Sequence, residues 1–290
     1  MLFCFKMIYL LASIFSSSMI YVVFRVAKNY SCNLSLLITI NYLTATILGF
    51  SLFNTEESGI WSNSTQWLPF GILLGILFIV MFYLIGNSSQ KAGITVTTLA
   101  NKLSLVFPVL FSLIYFNEEI TILKTVGLFT AFVAVFLTVY KKELNKTNLL
   151  FIILPVVIFI GSGITDSVIK FVQAVKINAQ EASIFATFVF LIAFIIGLII
   201  SLSQKKIQKF SHFPTLILGI ILGIVNFGSL YFIINALNKS DLNSSMVFAI
   251  NNMSIVALCA LLGLFIFHEK LNKTNIIGIL LAILSLYLLI

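Results

Sequence analysis

Ten apolar runs, each about twenty residues long, fill this chain from one end to the other, and they leave few structures open to it. A helix of about twenty residues rises about 30 Å, the thickness of a bilayer's hydrocarbon core. In lipid every backbone N–H and C=O must be satisfied internally, so only helices and closed barrels cross. Barrel strands are about ten residues of alternating character, whereas these runs are longer and apolar throughout. The predicted spans are 6–26, 34–53, 67–86, 93–116, 122–140, 148–171, 182–201, 213–237, 243–267 and 274–290. The connections, such as 54–66, 87–92, 141–147 and 203–211, are short and polar, and no soluble domain fits between spans. The first run lacks a small-residue cleavage site and is expected to be a retained helix.

Composition agrees. Of 290 residues 60% are hydrophobic and 9% charged, against about 25% charged in soluble domains. Mean hydropathy is +1.15. The expectation is an all-α integral membrane protein, with the bilayer as its first partner. The net charge of +8 is spread over short loops. It reads as an orientation signal, and no basic stripe with interleaved aromatics speaks for nucleic acid. Cys4, Cys32 and Cys259 are far apart, in or beside apolar runs, and read as small apolar packers. His212 and His268 are the only histidines, both at helix edges. No metal-ligand spacing, phosphate loop or nucleophile with a base is visible, so no cofactor is expected.

The halves repeat. Gly71-Ile-Leu-Leu-Gly75 in the third span recurs as Gly219-Ile-Ile-Leu-Gly223 in the eighth. Tyr83 then matches Tyr231, and Gly49 matches Gly197. Phe116-Asn-Glu118 after the fourth span, with Gly127 beyond, matches Phe267-His-Glu269 after the ninth, with Gly278 at the same distance. The same alignment sets Asn101 opposite Asn252, and another sets Arg25 opposite Lys170. The two units are 1–145 and 146–290. Five spans is an odd number, so the second unit enters the membrane from the opposite side. Such inverted repeats characterise many secondary transporters, with the site at the repeat interface near the midplane.

The run from Phe116-Asn-Glu118 to Gly127, and its second copy from Phe267-His-Glu269 to Gly278, resemble the turn after the fourth helix in the EamA-like drug/metabolite transporter superfamily. The resemblance covers essentially the whole chain. It implies ten helices around a central cavity, alternating access, and export of amino acids or other small metabolites. The family's usual Trp-Gly pair in the first helix is replaced here by Phe15-Ser16-Ser17-Ser18. The turn glutamates correspond to Glu118 and Glu269, each read as capping or orienting the next helix.

Lys102 is the residue that points most directly to function. An ammonium at bilayer depth costs roughly 2.5–3.5 kcal/mol on insertion scales and normally faces a bundle interior or wet cavity. In the fourth span Thr97, Asn101, Ser104 and Pro108 share a face, with Lys102 on its flank. In the sixth, Ser162, Asp166, Lys170 and Gln173 share one, and Asp166 can pair with Lys170. Ser18, Tyr21, Arg25 and Lys28 form a third. Asn251 and Asn252 lie in the ninth span with Ser245, and Asn226 in the eighth. Each has a plainer reading beside the functional one. Arg25, Lys28 and Lys170 are placed to snorkel to headgroups. Asp166 can serve only to neutralise Lys170. Asn226 and Ser245 can bridge helices, the paired glycines can be packing surfaces, and Tyr83 and Tyr231 can be cavity walls or interfacial anchors.

These features predict a plasma-membrane transporter for small polar metabolites of the amino acid or organic anion class, not an enzyme. Lys102, Asn101, Asn251, Asn252, Arg25, Lys170, Tyr83, Tyr231, Asn226 and Ser18 are the substrate-binding candidates, and Asp166 the proton-coupling one. A membrane-embedded enzyme or a channel-like subunit is the alternative, and a homodimer is the partner state considered. Loop lysines favour termini outside the cell, whereas the resemblance implies termini in the cytoplasm.

Overall fold

The computed structural model describes residues 2–52, 66–115, 121–139, 149–177, 181–203, 212–239 and 244–289. Among them every regular element is a helix: α1 (Leu2–Asn29), α2 (Leu34–Ser51), α3 (Leu68–Lys91), α4 (Ile94–Leu103), α5 (Val106–Tyr115), α6 (Ile122–Val139), α7 (Leu149–Val175), α8 (Ala182–Ser203), α9 (Phe213–Lys239), α10 (Ser244–Phe265) and α11 (Lys273–Leu288). Among the described residues seven spans are long and apolar enough to cross a membrane, and Ile122–Thr138, Ile250–Phe265 and Lys273–Leu288 are shorter apolar helices. The chain is an all-α integral membrane protein.

The fourth span departs from the continuous helix expected at 93–116. It is α4 and α5, separated at Ser104 and Leu105. Pro108 supplies the reason, because it has no N–H to offer the Ser104 carbonyl one turn back. That carbonyl accepts instead from Phe107 N at 2.9 Å, a tighter turn. The Ser104 hydroxyl folds back onto the Asn101 carbonyl.

Packing follows the repeat. α1 packs on α9, and its counterpart α7 packs on α3; α2 packs on α9 as α8 packs on α3. The pairs α2–α8, α4–α10 and α6–α11 join corresponding helices of the two units and so lie on the axis between them. Glycine contacts carry the symmetry to single residues. A Cβ at Gly49 would strike Thr187, and one at Gly197 would strike Thr39. Gly71 is covered by Phe188 and Phe185, and its counterpart Gly219 by Ile40 and Leu37. Gly127 lies under Leu289, and Gly278 under Thr138. Backbones approach this closely only where the side chain is a hydrogen.

Candidate functional site

The centre of the molecule is built by α1 and α4 of the first unit with α7 and α10 of the second. α4 touches each of the other three. Its polar face supplies most of the site. Asn101 Nδ2 donates to the Tyr21 hydroxyl on α1 at 2.6 Å. Ser104 Oγ, on the turn between α4 and α5, donates to Asp166 Oδ2 on α7 at 3.1 Å. Lys102 and Asp166 lie close enough for their charges to act on each other. A cation from one unit therefore faces an anion from the other.

Lys102 is surrounded by protein, yet it is only half-buried by surface area. Among the described residues its ammonium has no hydrogen bond or direct ion pair, and it is not among the sealed polar atoms without partners. Asp166 is likewise half-buried and enclosed. On α10, Asn251 accepts from Ser13 Oγ of α1 at 3.0 Å, and Ser13 also reaches the Ser229 carbonyl at 3.3 Å. Asn252 is buried beside it. Ser18 is fully buried on α1 and lies against the Cys259 thiol of α10 with Thr98 of α4.

Other candidates sit elsewhere. Arg25 lies at the end of α1 and donates to the Gln90 carbonyl at 2.8 Å and the Ser89 carbonyl at 3.4 Å. Lys28 joins it on Gln90 at 2.9 Å. Both cations thus satisfy the terminal carbonyls of α3, where the helix dipole favours positive charge. Lys170 is half-buried on α7, one turn beyond Asp166. Asn226 is buried against the Asn41 amide at 3.2 Å and ties α9 to α2. Tyr83 and Tyr231 are 50% and 39% exposed. Glu118 and the Ser245 side chain lie outside the described residues.

Glu269 does cap a helix, but not the next one. Its Oε1 accepts from Ile94 N at 2.6 Å and its Oε2 from Thr95 N at 3.2 Å, at the start of α4 in the other unit. α11 has its own capping box, formed by Asn272 and Asn275. Gly93 leaves room for the carboxylate: its φ is +104°, and a Cβ there would lie 2.5 Å from Glu269 Oε1.

Tyr21, Ser104 and Ser13 hold the site together without having been singled out as binding residues. The first two were legible as members of polar helical faces. Ser13 and Cys259 carry no spacing signal that separates them from packing residues. The groove lined by Phe107, Phe111, Val168 and Phe171 is a different feature. It uses the face of α7 opposite Asp166 and is apolar. Among the described residues no group of three His, Cys, Asp or Glu side chains comes together to hold a metal.

An uncharacterized protein of Haemophilus influenzae is similar to this chain, 28% identical over 289 residues and 96% of each chain. The model of the EamA-like transporter family matches residues 147–290, the whole of α7 to α11. Through that half the chain belongs to the EamA-like transporter family.

Proposed function

We propose that this protein is a secondary transporter that carries a small polar metabolite with a carboxylate group, of the amino acid or organic anion class, by alternating access. The observation behind the reading is the enclosed Lys102 facing Asp166 across the unit interface. Two opposite charges cost most when left apart in a low-dielectric cavity, so each invites a partner. A substrate carboxylate meets Lys102. Asp166 receives either a substrate amine or a coupling proton, and Ser104 positions it. Asn252 adds a neutral hydrogen-bonding group nearby, while Asn101 and Asn251 are already braced by Tyr21 and Ser13. Rocking of the two units about their common axis would expose the site to each side in turn. We assign the carrier to the plasma membrane, working in the direction of export.

The test begins with a thermal-shift screen of amino acids and small carboxylates on the purified protein, since a ligand that binds only the native state raises its melting temperature. Hits go to uptake in proteoliposomes. Lys102→Met is expected to lower uptake by about a hundredfold or more, the loss of one charge-assisted contact of roughly 3 kcal/mol, with normal membrane insertion. Near-normal uptake by that variant would remove Lys102 from the site. Failure of every charged solute to be transported would sink the reading as a whole.

A further inference from the structure

The two units match in sequence, yet their ends are held differently. Arg25 and Lys28 of α1 grip the Ser89 and Gln90 carbonyls at the end of α3. The alignment that sets Arg25 opposite Lys170 also sets Lys28 opposite Gln173 on α7. The one that matches Tyr83 with Tyr231 sets Ser89 and Gln90 opposite Leu237 and Asn238 on α9. The ends of α3 and α9 are built alike: Asn87 donates to the Tyr83 carbonyl and Asn235 to the Tyr231 carbonyl, both at 2.9 Å. Tyr21 lies one turn before Arg25, and its match Asp166 one turn before Lys170. What differs is the packing. α1 and α4 both pack on α3, where the Thr97 and Ser88 hydroxyls meet at 2.7 Å. Among the described residues α10 meets α9 far less, and no packing of α7 on α9 answers that of α1 on α3. Thr97 is 0% exposed, and its match Phe248 is 43% exposed. The two ends lie at opposite faces of the bundle. Phe171, near the end of α7, packs on Phe70 at the start of α3, with ring centres 5.5 Å apart. Asn33 N, just after α1, donates to Thr215 at the start of α9 at 3.3 Å, so the end of α9 lies a helix length away, about 36 Å.

We propose that Arg25 and Lys28 form one of two alternating clasps, and that Lys170 and Gln173 form the other by seizing the Leu237 and Asn238 carbonyls when the first lets go. The structure is then the state shut where α1 and α3 end and open where α7 and α9 end. This deepens the transport reading and rests on its alternating access. The chemistry of the second clasp follows from the first. The last carbonyls of a helix have no partner within it and carry the negative end of its dipole. The Lys170 ammonium answers both, and the Gln173 amide donates as Lys28 does. The two grips are unequal. Arg25 and Lys28 bring two charges, Lys170 and Gln173 one, and a charged donor bonds about twice as strongly as a neutral one. The first clasp is therefore shut at rest. Each clasp sits one turn from a central-site residue, so a solute that engages Asp166 moves α7 and Lys170 with it.

Spin labels read both faces without a solute. In protein carrying Cys4→Ser, Cys32→Ser and Cys259→Ser, one label pair is placed by Tyr30→Cys and Lys91→Cys. A second sits at the matching positions, by Val175→Cys and Lys239→Cys. Pulsed electron resonance in proteoliposomes gives the distance within each pair. The parent is expected to be mostly short at the first pair and long at the second. Arg25→Ala with Lys28→Ala should raise the population that is long at the first and short at the second about tenfold. Adding Lys170→Ala and Gln173→Ala should abolish the shortening at the second pair, whereas adding Lys170→Arg should keep it. Lys28→Ala alone, a change at an exposed residue, should move both pairs in the same sense by less. Two pairs that fail to change together, or a second pair that shortens without Lys170 and Gln173, would overturn the clasps. Reciprocal distances in a protein that transports nothing would overturn the transport reading alone.

Discussion

Glu269→Ala is expected to destabilise the protein through α4, not α11. Two backbone N–H groups lose an ionised acceptor, at 2.6 and 3.2 Å. Hydrogen bonds to charged groups contribute about 1.5–3 kcal/mol each, and losing an N-cap costs about 0.5–2. Glu269 is half-buried in a turn that water reaches, so the lower part of the combined range applies, on the order of 2–3 kcal/mol. In a chain of this size that corresponds to a fall of about 3–5 °C in melting temperature. Fluorescence-detected size-exclusion after graded heating measures it. Ile94→Pro removes one of the two donors at a position where proline suits the first turn of a helix. The two substitutions together should then cost clearly less than their sum. Asn272→Ala, which removes the cap of α11, should instead add fully to Glu269→Ala. Additivity of the first pair, or coupling in the second, would refute the assignment of Glu269 to α4.

Gly49→Val and Gly197→Val should reduce the folded yield to similar extents, because each drives a side chain into the matching threonine of the other unit; unequal effects on detergent stability would count against the two-fold packing. Pro108→Ala restores the N–H that the Ser104 carbonyl lacks, and is expected to raise the melting temperature by a few degrees while lowering uptake, since straightening the span moves Ser104 off Asp166. Tyr83→Phe and Tyr231→Phe are expected to leave uptake unchanged, since neither hydroxyl has a hydrogen bond to the groups around Lys102 and Asp166 among the described residues.

Much of the fold was legible because the signal is long-range and repeated. An apolar run of about twenty residues has one stable use, and matched glycines at matched places mark helix crossings. The break in the fourth span was less so. Pro108 announces a disturbance, but where it falls depends on which carbonyl loses its donor, and here that is Ser104. The site was read in part. Lys102, Asp166 and Asn101 stand out because charge and amide groups are rare at membrane depth. Tyr83 and Tyr231 share a repeat position, which says they are equivalent but not which way they face. Arg25 is polar for a nearby reason, the open carbonyls of α3. The partner of Glu269 lies 175 residues away in sequence, and no local pattern encodes such a pairing.

That separation has a consequence for how the protein is made. Ile94 is synthesised 175 residues before the carboxylate that completes its helix. Until the ribosome reaches the turn before α11, the helix bearing Lys102 enters the bilayer with its leading amides unanswered. A chain cut short anywhere before that turn would present those amides to the lipid and to the proteases that patrol it.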